Sequence, residues 1–233
     1  MRTKPFLPVV LALVTATASA DLIVESKVES PQMNSNITTK IKGGKVRADL
    51  TGPMGAMSSI IDSASGDSVQ LIHGQKMAMK TSAAQMKQAL EMSKQLAGAS
   101  PDKTPAAVKP EATGQKEKVG EYECEIYTWT GGGTTSRFWI ALKHPQAALL
   151  KEAEKQMRSG VLGTVSSGPD MTTLPGPALK TETQIANMKT VATILSVKEA
   201  TVDAADFEVP KDYQAMDMSK IPGAGGPTVP APK

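Results

Sequence analysis

The stretch from Ile37 to Leu50 restricts the possible folds of this chain more than any other, because it predicts a β-hairpin with a fixed register. Gly43-Gly44 suits a two-residue turn, since such turns favour positive φ at both central positions. With this turn the side chains sort onto two distinct faces, and a shift of one residue would mix them. One predicted face holds Ile41/Val46, Thr39/Ala48 and Ile37/Leu50, and the other holds Lys42/Lys45, Lys40/Arg47 and Thr38/Asp49.

Basic side chains crowd the polar face of this predicted hairpin. Like charges directly opposite each other repel, so the face requires water, acidic groups or a partner. The preceding predicted strand, residues 22–29, carries Glu25 and Glu29, which can supply the acidic groups. The basic residues concerned are Lys40, Lys42, Lys45 and Arg47.

Further strands and two amphipathic helices are predicted along the chain. The first helix covers residues 82–97 and begins with Ser82 as its N-cap. The second covers residues 145–159, with Pro145 in its first turn. Alternating patterns and turn residues predict the remaining strands at 57–62, 68–72, 76–80, 122–130, 134–142, 180–185, 190–197 and 206–209.

The glycine run 131–133 predicts a second hairpin, with a three-residue turn. Together the strands and helices predict an α+β fold, in which a curved antiparallel sheet carries about two helices across one face. We expect the inward side chains to be Leu22/Val24/Val28, Ile37/Ile41/Val46/Leu50 and Ile126/Phe138/Ile140/Leu142, with Tyr122 and Cys124. The outward face of the second hairpin would then present the aromatic side chains of Tyr127, Trp129 and Trp139.

The first twenty residues have the layout of a secretory signal peptide. Arg2 and Lys4 precede an apolar run too short to span a membrane, and cleavage is predicted near Ala20. The mature protein is therefore expected to be exported, either periplasmic or secreted, and not membrane-spanning. Loss of the two basic residues lowers the formal charge from +3 to +1, so no nucleic-acid partner is predicted.

The mature chain is predicted to form a single β-rich domain over residues 21–216. Within it, the Pro-, Ala- and Lys-rich residues 99–113 are interpreted as a flexible connector. Residues 217–233 are rich in Pro and Gly and are predicted to form a disordered tail.

The side chains needed for catalysis are scarce, so no enzyme activity and no cofactor are predicted. His73 falls in a predicted turn and His144 just before a predicted helix, where solvated histidines are common. Cys124, the only cysteine, alternates with apolar residues and is interpreted as a small buried hydrophobe. The common nucleotide, hydrolase and zinc-protease motifs are missing from the sequence.

Several short motifs resemble an uncharacterised family of exported bacterial proteins whose pattern is similar to the lipoprotein-carrier (LolA/LolB-like) half-barrels. The resemblance covers roughly residues 21–213 and implies a strongly curved antiparallel sheet closed over by a few helices. It brings no functional residues with it. The motifs are Gly120-Glu-Tyr-Glu-Cys124, Arg137-Phe-Trp-Ile-Ala141, Pro175-Gly-Pro-Ala-Leu179, Lys180-Thr-Glu182 and Asp206-Phe-Glu-Val-Pro210 followed by Tyr213.

The leading functional hypothesis is a non-enzymatic envelope protein that binds an apolar ligand, such as a lipid or an acyl chain. It depends on the resemblance and on an interior rich in methionine and aliphatic residues. The alternative is a structural or interaction protein that docks an envelope partner through Tyr127, Trp129 and Trp139. The pocket between helices and sheet is predicted to contain Met77, Met79, Met86, Leu90, Ile126, Phe138, Ile140, Leu149 and Met157.

Methionine is abundant, with 13 residues, and supports a further alternative. Met77-x-Met79 and Met216-x-Met218 place thioethers at the spacing of Cu(I)-binding methionine pairs. Core packing and an apolar pocket account for the same residues, and the sequence leaves the three interpretations open. No residue is therefore predicted to be a metal ligand.

Overall fold

The protein was analysed as a computed structural model, which describes residues 21–31, 33–52, 55–96, 109–131, 133–158, 169 and 171–217. The first half contains β1 (Leu22–Ser30), β2 (Met33–Lys42), β3 (Lys45–Gly52), β4 (Gly55–Asp62), β5 (Ser68–Ile72), β6 (Met77–Thr81) and α1 (Ala83–Leu96). The second half contains β7 (Glu111–Val119), β8 (Tyr122–Gly131), β9 (Thr134–Ala141), α2 (Ala147–Arg158), β10 (Ala178–Ile185), β11 (Met188–Glu199) and β12 (Gln214–Asp217).

All twelve of these strands belong to one open, curled sheet in the order β12-β6-β5-β4-β3-β2-β1-β11-β10-β9-β8-β7. Two meanders, β1 to β6 and β7 to β11, meet where β1 pairs with β11. Every pairing is antiparallel except that of β12 with β6, which is parallel. The predicted α+β class with a curved antiparallel sheet is confirmed.

The β2–β3 hairpin has the predicted register at every pair. Ile41 lies opposite Val46 and Lys40 opposite Arg47. Gly43 and Gly44 have φ of 54° and 80°, the left-handed values that a two-residue turn requires at both positions. The local pattern was sufficient because the turn and the sorting of the faces specify the same register.

The acidic partners of this hairpin are not the predicted ones. Lys40 and Lys42 form ion pairs with Asp206 and Asp21, at Nζ–O distances of 2.9 and 2.6 Å, and Arg47 pairs with Asp49 at 2.7 Å. The two predicted glutamates have other contacts: Glu29 binds Lys27, and Glu25 accepts a hydrogen bond from Ser196. Two of the true partners come from segments outside the hairpin, which local spacing could not identify.

Helix α1 begins as predicted. The Ser82 hydroxyl accepts from the Gln85 backbone N–H at 3.2 Å, while the Gln85 side chain accepts from the Ser82 N–H at 2.7 Å. This reciprocal pair is a capping box, which satisfies two backbone donors that a helix N-terminus leaves free. Helix α2 begins two residues later than Pro145, which lies in the preceding turn.

Two segments differ from their predictions. Residues 111–113, assigned to the flexible connector, begin strand β7, which is almost entirely exposed and so lacks the alternation of a half-buried strand. The predicted strand 206–209 is also wrong, because Ala204–Phe207 is a short 3₁₀ helix and the closing strand is β12. Predicted features at residues 1–20, 99–108 and 218–233 lie outside the described residues.

The β8–β9 hairpin forms with a register one residue away from the prediction. Gly131 pairs with Thr134, so the turn contains two residues instead of three. Ile126 therefore lies opposite Trp139, and Tyr127 opposite Phe138, because a one-residue slip moves every side chain of one strand to the other face. Leu142, predicted to be inward, is 50 % exposed.

Residues 201–213 form a segment, here named the strap, that runs from the end of β11 to β12. Phe207 and Val202 of the strap are buried against Ile60, Leu71 and Ala78 of the sheet. A separate core lies under α2, whose Leu150 and Ala153 cluster with residues of β1, β2, β3, β8, β9, β10 and β11. The sheet is thus covered by a strap at one place and by a helix at another.

Candidate functional site

Helix α2 is positioned by the short turn that follows β9. The Gln146 backbone N–H donates to His144 Nδ1 at 3.1 Å, and the Ala147 N–H donates to the His144 carbonyl at 3.1 Å. The His144 ring lies 4.2 Å from the ring of Tyr122, centroid to centroid. Burial lowers the pKa of His144, which favours the neutral imidazole that can accept the Gln146 hydrogen bond.

The inner side of α2 combines large and small apolar residues. Leu150 is 3 % exposed and Ala153 is 1 % exposed, and Leu149 and Met157 pack against the same core. The helix contacts β1 and β11, the strands that join the two meanders. Because alanine is small, the helix leaves space between itself and the sheet.

This space is a cavity of about 320 Å³ beneath α2. The volume lies at the lower end of the range typical of small-molecule sites. Its wall is mainly aliphatic, with single aromatic and charged residues. The lining consists of Val24, Ser26, Thr39, Phe138, Leu150, Ala153, Glu154, Met157, Met171, Pro177, Ala178, Leu179, Thr181, Ala192, Thr193 and Ile194.

Two irregularities in the sheet shape the cavity wall. The register of β1 against β11 shifts between Glu25 and Ser26, and that of β10 against β9 shifts between Ala178 and Lys180. Such bulges bend a strand and redirect its side chains. Ser26, Ala178 and the bulged Leu179 all line the cavity, so it lies where the sheet departs from regular pairing.

A second cavity, of about 310 Å³, lies at the N-terminal end of α2. Tyr122, His144 and Leu195 contribute to its wall, and Leu195 is 57 % exposed. The two cavities share Leu150, Leu179, Thr193 and Ile194, so these side chains separate them. Leu150 is the member of this partition that α2 contributes.

The polar groups around the first cavity are mostly hydroxyls. Ser26, Thr39, Thr181 and Thr193 line it, and Glu154 is the lining residue with a formal charge. A wall of this kind accepts apolar groups and offers few charges to a ligand. The cavity therefore suits the apolar part of a molecule better than an ionic one.

The predicted pocket residues are dispersed in the structure. Phe138 and Met157 line the cavity, while Leu149 packs beside it. Ile126 and Ile140 are buried in two different clusters. The other predicted members are elsewhere: Met77 and Met79 lie on β6, Met86 lies on α1, and the side chain of Leu90 is outside the described residues.

The part of the cavity wall that comes from β10 and β11 was missed by sequence reasoning. It includes Thr181, Ala192 and Thr193, small or hydroxyl-bearing residues that give no local signal for a pocket. The Pro175-Gly-Pro motif was the available signal. A Cβ on Gly176 would collide with the Ala141 carbonyl oxygen, so only glycine allows this segment to approach β9 and place Pro177 in the wall.

The predicted exposed aromatic patch is wrong. Trp139 is 1 % exposed and Trp129 is 8 % exposed, and the β8–β9 register places them on opposite faces of the sheet. The Trp139 indole N–H donates to Glu117 at 2.9 Å, and the Lys180 ammonium lies 4.1 Å from its ring centroid. Tyr127 is half-buried, so the three side chains form no common docking surface.

His73, predicted to be a solvated turn residue, instead joins a polar network beneath the strap. Its Nδ1 lies 2.5 Å from the Tyr213 hydroxyl, and its Nε2 lies 2.6 Å from the Ser58 hydroxyl. Ser58 donates to Asp49 and accepts from Arg47. Because the single Ser58 proton points to Asp49, His73 Nε2 is the donor to Ser58 and does not act as its base in this arrangement.

Cys124 is disfavoured as a reactive group by its surroundings. Burial raises the pKa of the Cys124 thiol, which disfavours the nucleophilic thiolate. The part of the chain that the structure describes contains no group of three or more His, Cys, Asp or Glu side chains arranged to hold a metal. None of its helices is long and apolar enough to span a membrane.

Comparison with known proteins identifies a family and a fold. Residues 23–213 match a family described as a domain of unknown function (DUF4412). An uncharacterised conserved protein from Thermus thermophilus has a similar structure, with a TM-score of 0.52 and 8 % identity over 85 % of this chain and 91 % of the other. At this identity the likeness shows the fold alone.

Two further structures align with lower scores. The lipoprotein LppX of Mycobacterium tuberculosis aligns with a TM-score of 0.42 and 8 % identity, over 77 % of this chain and 88 % of the other. PNGF-II aligns with a TM-score of 0.39 and 12 % identity, and the alignment covers 85 % of this chain and 31 % of the PNGF-II chain. No curated protein matches the chain by sequence.

Proposed function

The chain belongs to the DUF4412 family, and we propose that it is a non-enzymatic binding protein for an apolar ligand such as a lipid or an acyl chain. The cavity of about 320 Å³ beneath α2 is the observation that supports this function. The signal-peptide pattern of residues 1–20 supports a place in the cell envelope.

The ligand class follows from the lining of the cavity. Leu150, Met157, Phe138 and Ile194 offer apolar contacts, and methionine can adapt to ligands of different shape. Burial of apolar ligand surface against such side chains contributes roughly 25 cal/mol per Å². Apart from Glu154, the polar lining groups are hydroxyls, which leaves the wall largely apolar and suits an uncharged part of a ligand.

The second cavity suggests how a longer ligand fits. Leu150 is the residue that α2 contributes to the partition between the cavities, so a movement of α2 that shifts Leu150 away from Leu179 and Ile194 would connect them. A connected cavity would allow an extended chain to reach the partly exposed end near Leu195. We therefore place the tail of the ligand beneath α2 and its other end near Tyr122 and His144.

The proposal is tested by filling the cavity. Ala192, on β11, lines it, and Ala192→Phe would occupy the space with a side chain. Ala112→Phe is the matched control, since Ala112 is exposed on β7 and is remote from the lining. We would titrate each variant with phenylnaphthylamine, a neutral apolar fluorophore, and compare the masses of gently purified proteins by native mass spectrometry.

The expected result is saturable fluorophore binding by the unmodified protein and by Ala112→Phe, at least about tenfold weaker in Ala192→Phe. A mass excess that extracts into organic solvent would identify a natural ligand. Equal binding by both variants, or a bare mass with no saturable binding, would overturn the proposal. The aromatic docking alternative has lost its structural basis, because Trp129 and Trp139 are buried.

A further inference from the structure

Strand β12 brings Met216 beside Met79, although the two residues are 137 positions apart in the chain. It adds to the sheet edge in parallel with β6, and its Met216 is the direct register partner of Met79. Met77 precedes Met79 by two residues on β6, opposite Gln214. The Met-x-Met spacing seen separately in two parts of the sequence is therefore continued across neighbouring strands.

The three thioethers share one face of the sheet. Successive residues of a strand alternate between faces, and paired residues on neighbouring strands lie about 4.8 Å apart on the same face. Ala78, between Met77 and Met79, is fully buried under the strap, so the two methionines are on the opposite face. Met216, as the partner of Met79, lies on that face with them.

These methionines are unusually accessible for core residues. Met216 is 37 % exposed, and Met77 and Met79 are both partly exposed. Partial exposure of a flexible apolar side chain gives up part of the hydrophobic stabilisation that explains buried methionine. Packing alone therefore accounts only in part for three neighbouring thioethers beside the edge of the sheet.

We propose that Met77, Met79 and Met216 bind a soft monovalent metal ion, Cu(I), at the β6–β12 edge. Thioether sulfur is a soft ligand that selects Cu(I) over the harder divalent ions. The described residues contain no His, Cys, Asp or Glu group arranged for those harder ions. The flexible side chains can converge from neighbouring strands, since each has three rotatable bonds.

The strap determines whether the site exists. Tyr213, next to β12, contacts His73, and Asp212 forms an ion pair with Lys76 at 2.9 Å. The Gln214 N–H also donates to the Lys76 carbonyl at 2.8 Å. These contacts hold β12 beside β6 in its register, so Met216 meets Met79 only when the strap is docked.

The test is a Cu(I) titration of the mature protein under anaerobic, reducing conditions, with a chromogenic Cu(I) chelator as competitor. The test variant is Met79→Leu/Met216→Leu, because leucine retains size and apolarity but has no sulfur. The control is Met33→Leu/Met188→Leu, which removes two methionines at distant hairpin ends. Neither variant changes the lining of the cavity beneath α2, so failure here leaves the ligand proposal unaffected.

We expect one Cu(I) per protein in the unmodified chain and in the control. Loss of an outer group that only hydrogen-bonds to a metal ligand lowers metal affinity by about 10–100-fold. Removal of two ligands themselves should lower the Cu(I) affinity at least as much. Methionine-methyl NMR gives a readout independent of affinity: the signals of Met77, Met79 and Met216 should shift on Cu(I) addition. Unchanged affinity in the test variant, no stoichiometric binding, or shifts confined to other methionines would overturn the proposal.

Discussion

The strap and helix α2 both cover the sheet, but they do so by different means. The strap is fixed by charged and backbone groups: Lys42 donates to the Val202 carbonyl at 2.7 Å, and Arg47 donates to the Asp206 carbonyl at 2.6 Å. Phe207, which follows the second of these bonds, packs into the core. Helix α2 instead contacts the sheet through apolar side chains, with Ala153 at its centre, and it leaves a cavity.

If the cavity binds the proposed ligand, this difference places stability and binding in different parts of one sheet. A cover tied by several directional bonds over a packed core has little freedom to open. Helix α2 is held mainly by apolar contacts, with a hydrogen bond from Lys151 to the Leu174 carbonyl at 3.2 Å, so we expect it to shift more readily. The strap therefore has the character of a structural lock, and α2 that of a movable cover. Substitutions in the two places should have separable effects.

The largest difference is expected between Phe207→Ala and Leu150→Ala. Phe207→Ala should lower the free energy of unfolding by about 3 kcal/mol, because it leaves a void in a filled core. Leu150→Ala should cost less, about 2 kcal/mol, because Leu150 already borders two cavities. Urea unfolding measures both values.

Fluorophore binding provides the second half of this comparison. We expect Leu150→Ala to change the affinity for phenylnaphthylamine, since it removes the partition between the cavities, and Phe207→Ala to leave it unchanged. If Phe207→Ala altered binding more than Leu150→Ala, the separation of the lock from the movable cover would be wrong.

A smaller effect is expected at the start of the strap. The Asp21 carboxylate accepts from Lys42 Nζ at 2.6 Å and from the Val202 N–H at 3.1 Å. These bonds lower the pKa of Asp21 from 3.8, with the Lys42 bond as the main cause. Asp21→Asn should lower the free energy of unfolding by about 1 kcal/mol at neutral pH, a figure reduced for the partial exposure of the pair.

The pH dependence of this effect has a defined sign. A carboxyl group whose pKa is lower in the folded state stabilises the fold above its unfolded pKa and loses that contribution as the pH falls. The difference between the unmodified protein and Asp21→Asn should therefore be constant above about pH 5 and decrease in more acidic solution. A difference that increased on acidification would contradict the assigned bonds.

The smallest effect is expected at the N-terminus of α2. Burial lowers the pKa of His144 from 6.5, so the fold favours the neutral ring, and its stabilisation should decline as the pH falls below 6.5. Protonation also removes the acceptor of the Gln146 N–H. The loss should be about 0.5–1 kcal/mol, the scale of a helix cap.

Two variants isolate the role of His144. His144→Asn retains a side-chain acceptor but does not titrate, so its stability should change less between pH 7.5 and 5.5 than that of the unmodified protein. His144→Ala should show the cap loss at both pH values. Equal pH dependence in His144→Asn and the unmodified protein would exclude His144 as the titrating group.

The outcome of the two hairpin predictions shows where local patterns are sufficient. In β2–β3, Gly43-Gly44 defines the turn and the lysines separate one face from the other, so every pair was predicted. In β8–β9, three successive glycines allow several turns, and Phe138 to Ala141 are all buried on both faces of β9. Because β9 has no polar face that marks one side as outward, the sequence pattern did not specify the register of this hairpin.

The candidate site was predicted less completely than the fold. The expected location between helix and sheet contains a cavity, and Phe138 and Met157 line it. Ile126 and Leu149 belong to the core beneath α2 but do not line the cavity, Ile140 lies in a separate core, and Met77 and Met79 lie on β6. Membership of a pocket depends on which strands become neighbours. The small and hydroxyl-bearing residues of β10 and β11 gave no local signal for a cavity wall.

The sequence by itself determined most of the strands, the tight hairpin and the capped start of α1, because side-chain alternation, turn glycines and capping residues act within a few positions. Tertiary structure decided how the strap crosses the sheet, where bulges leave a cavity beneath α2, and that Met216 lies beside Met79. These features join residues distant in the chain. They form because the buried apolar faces and the distant ion pairs together select one arrangement of strands.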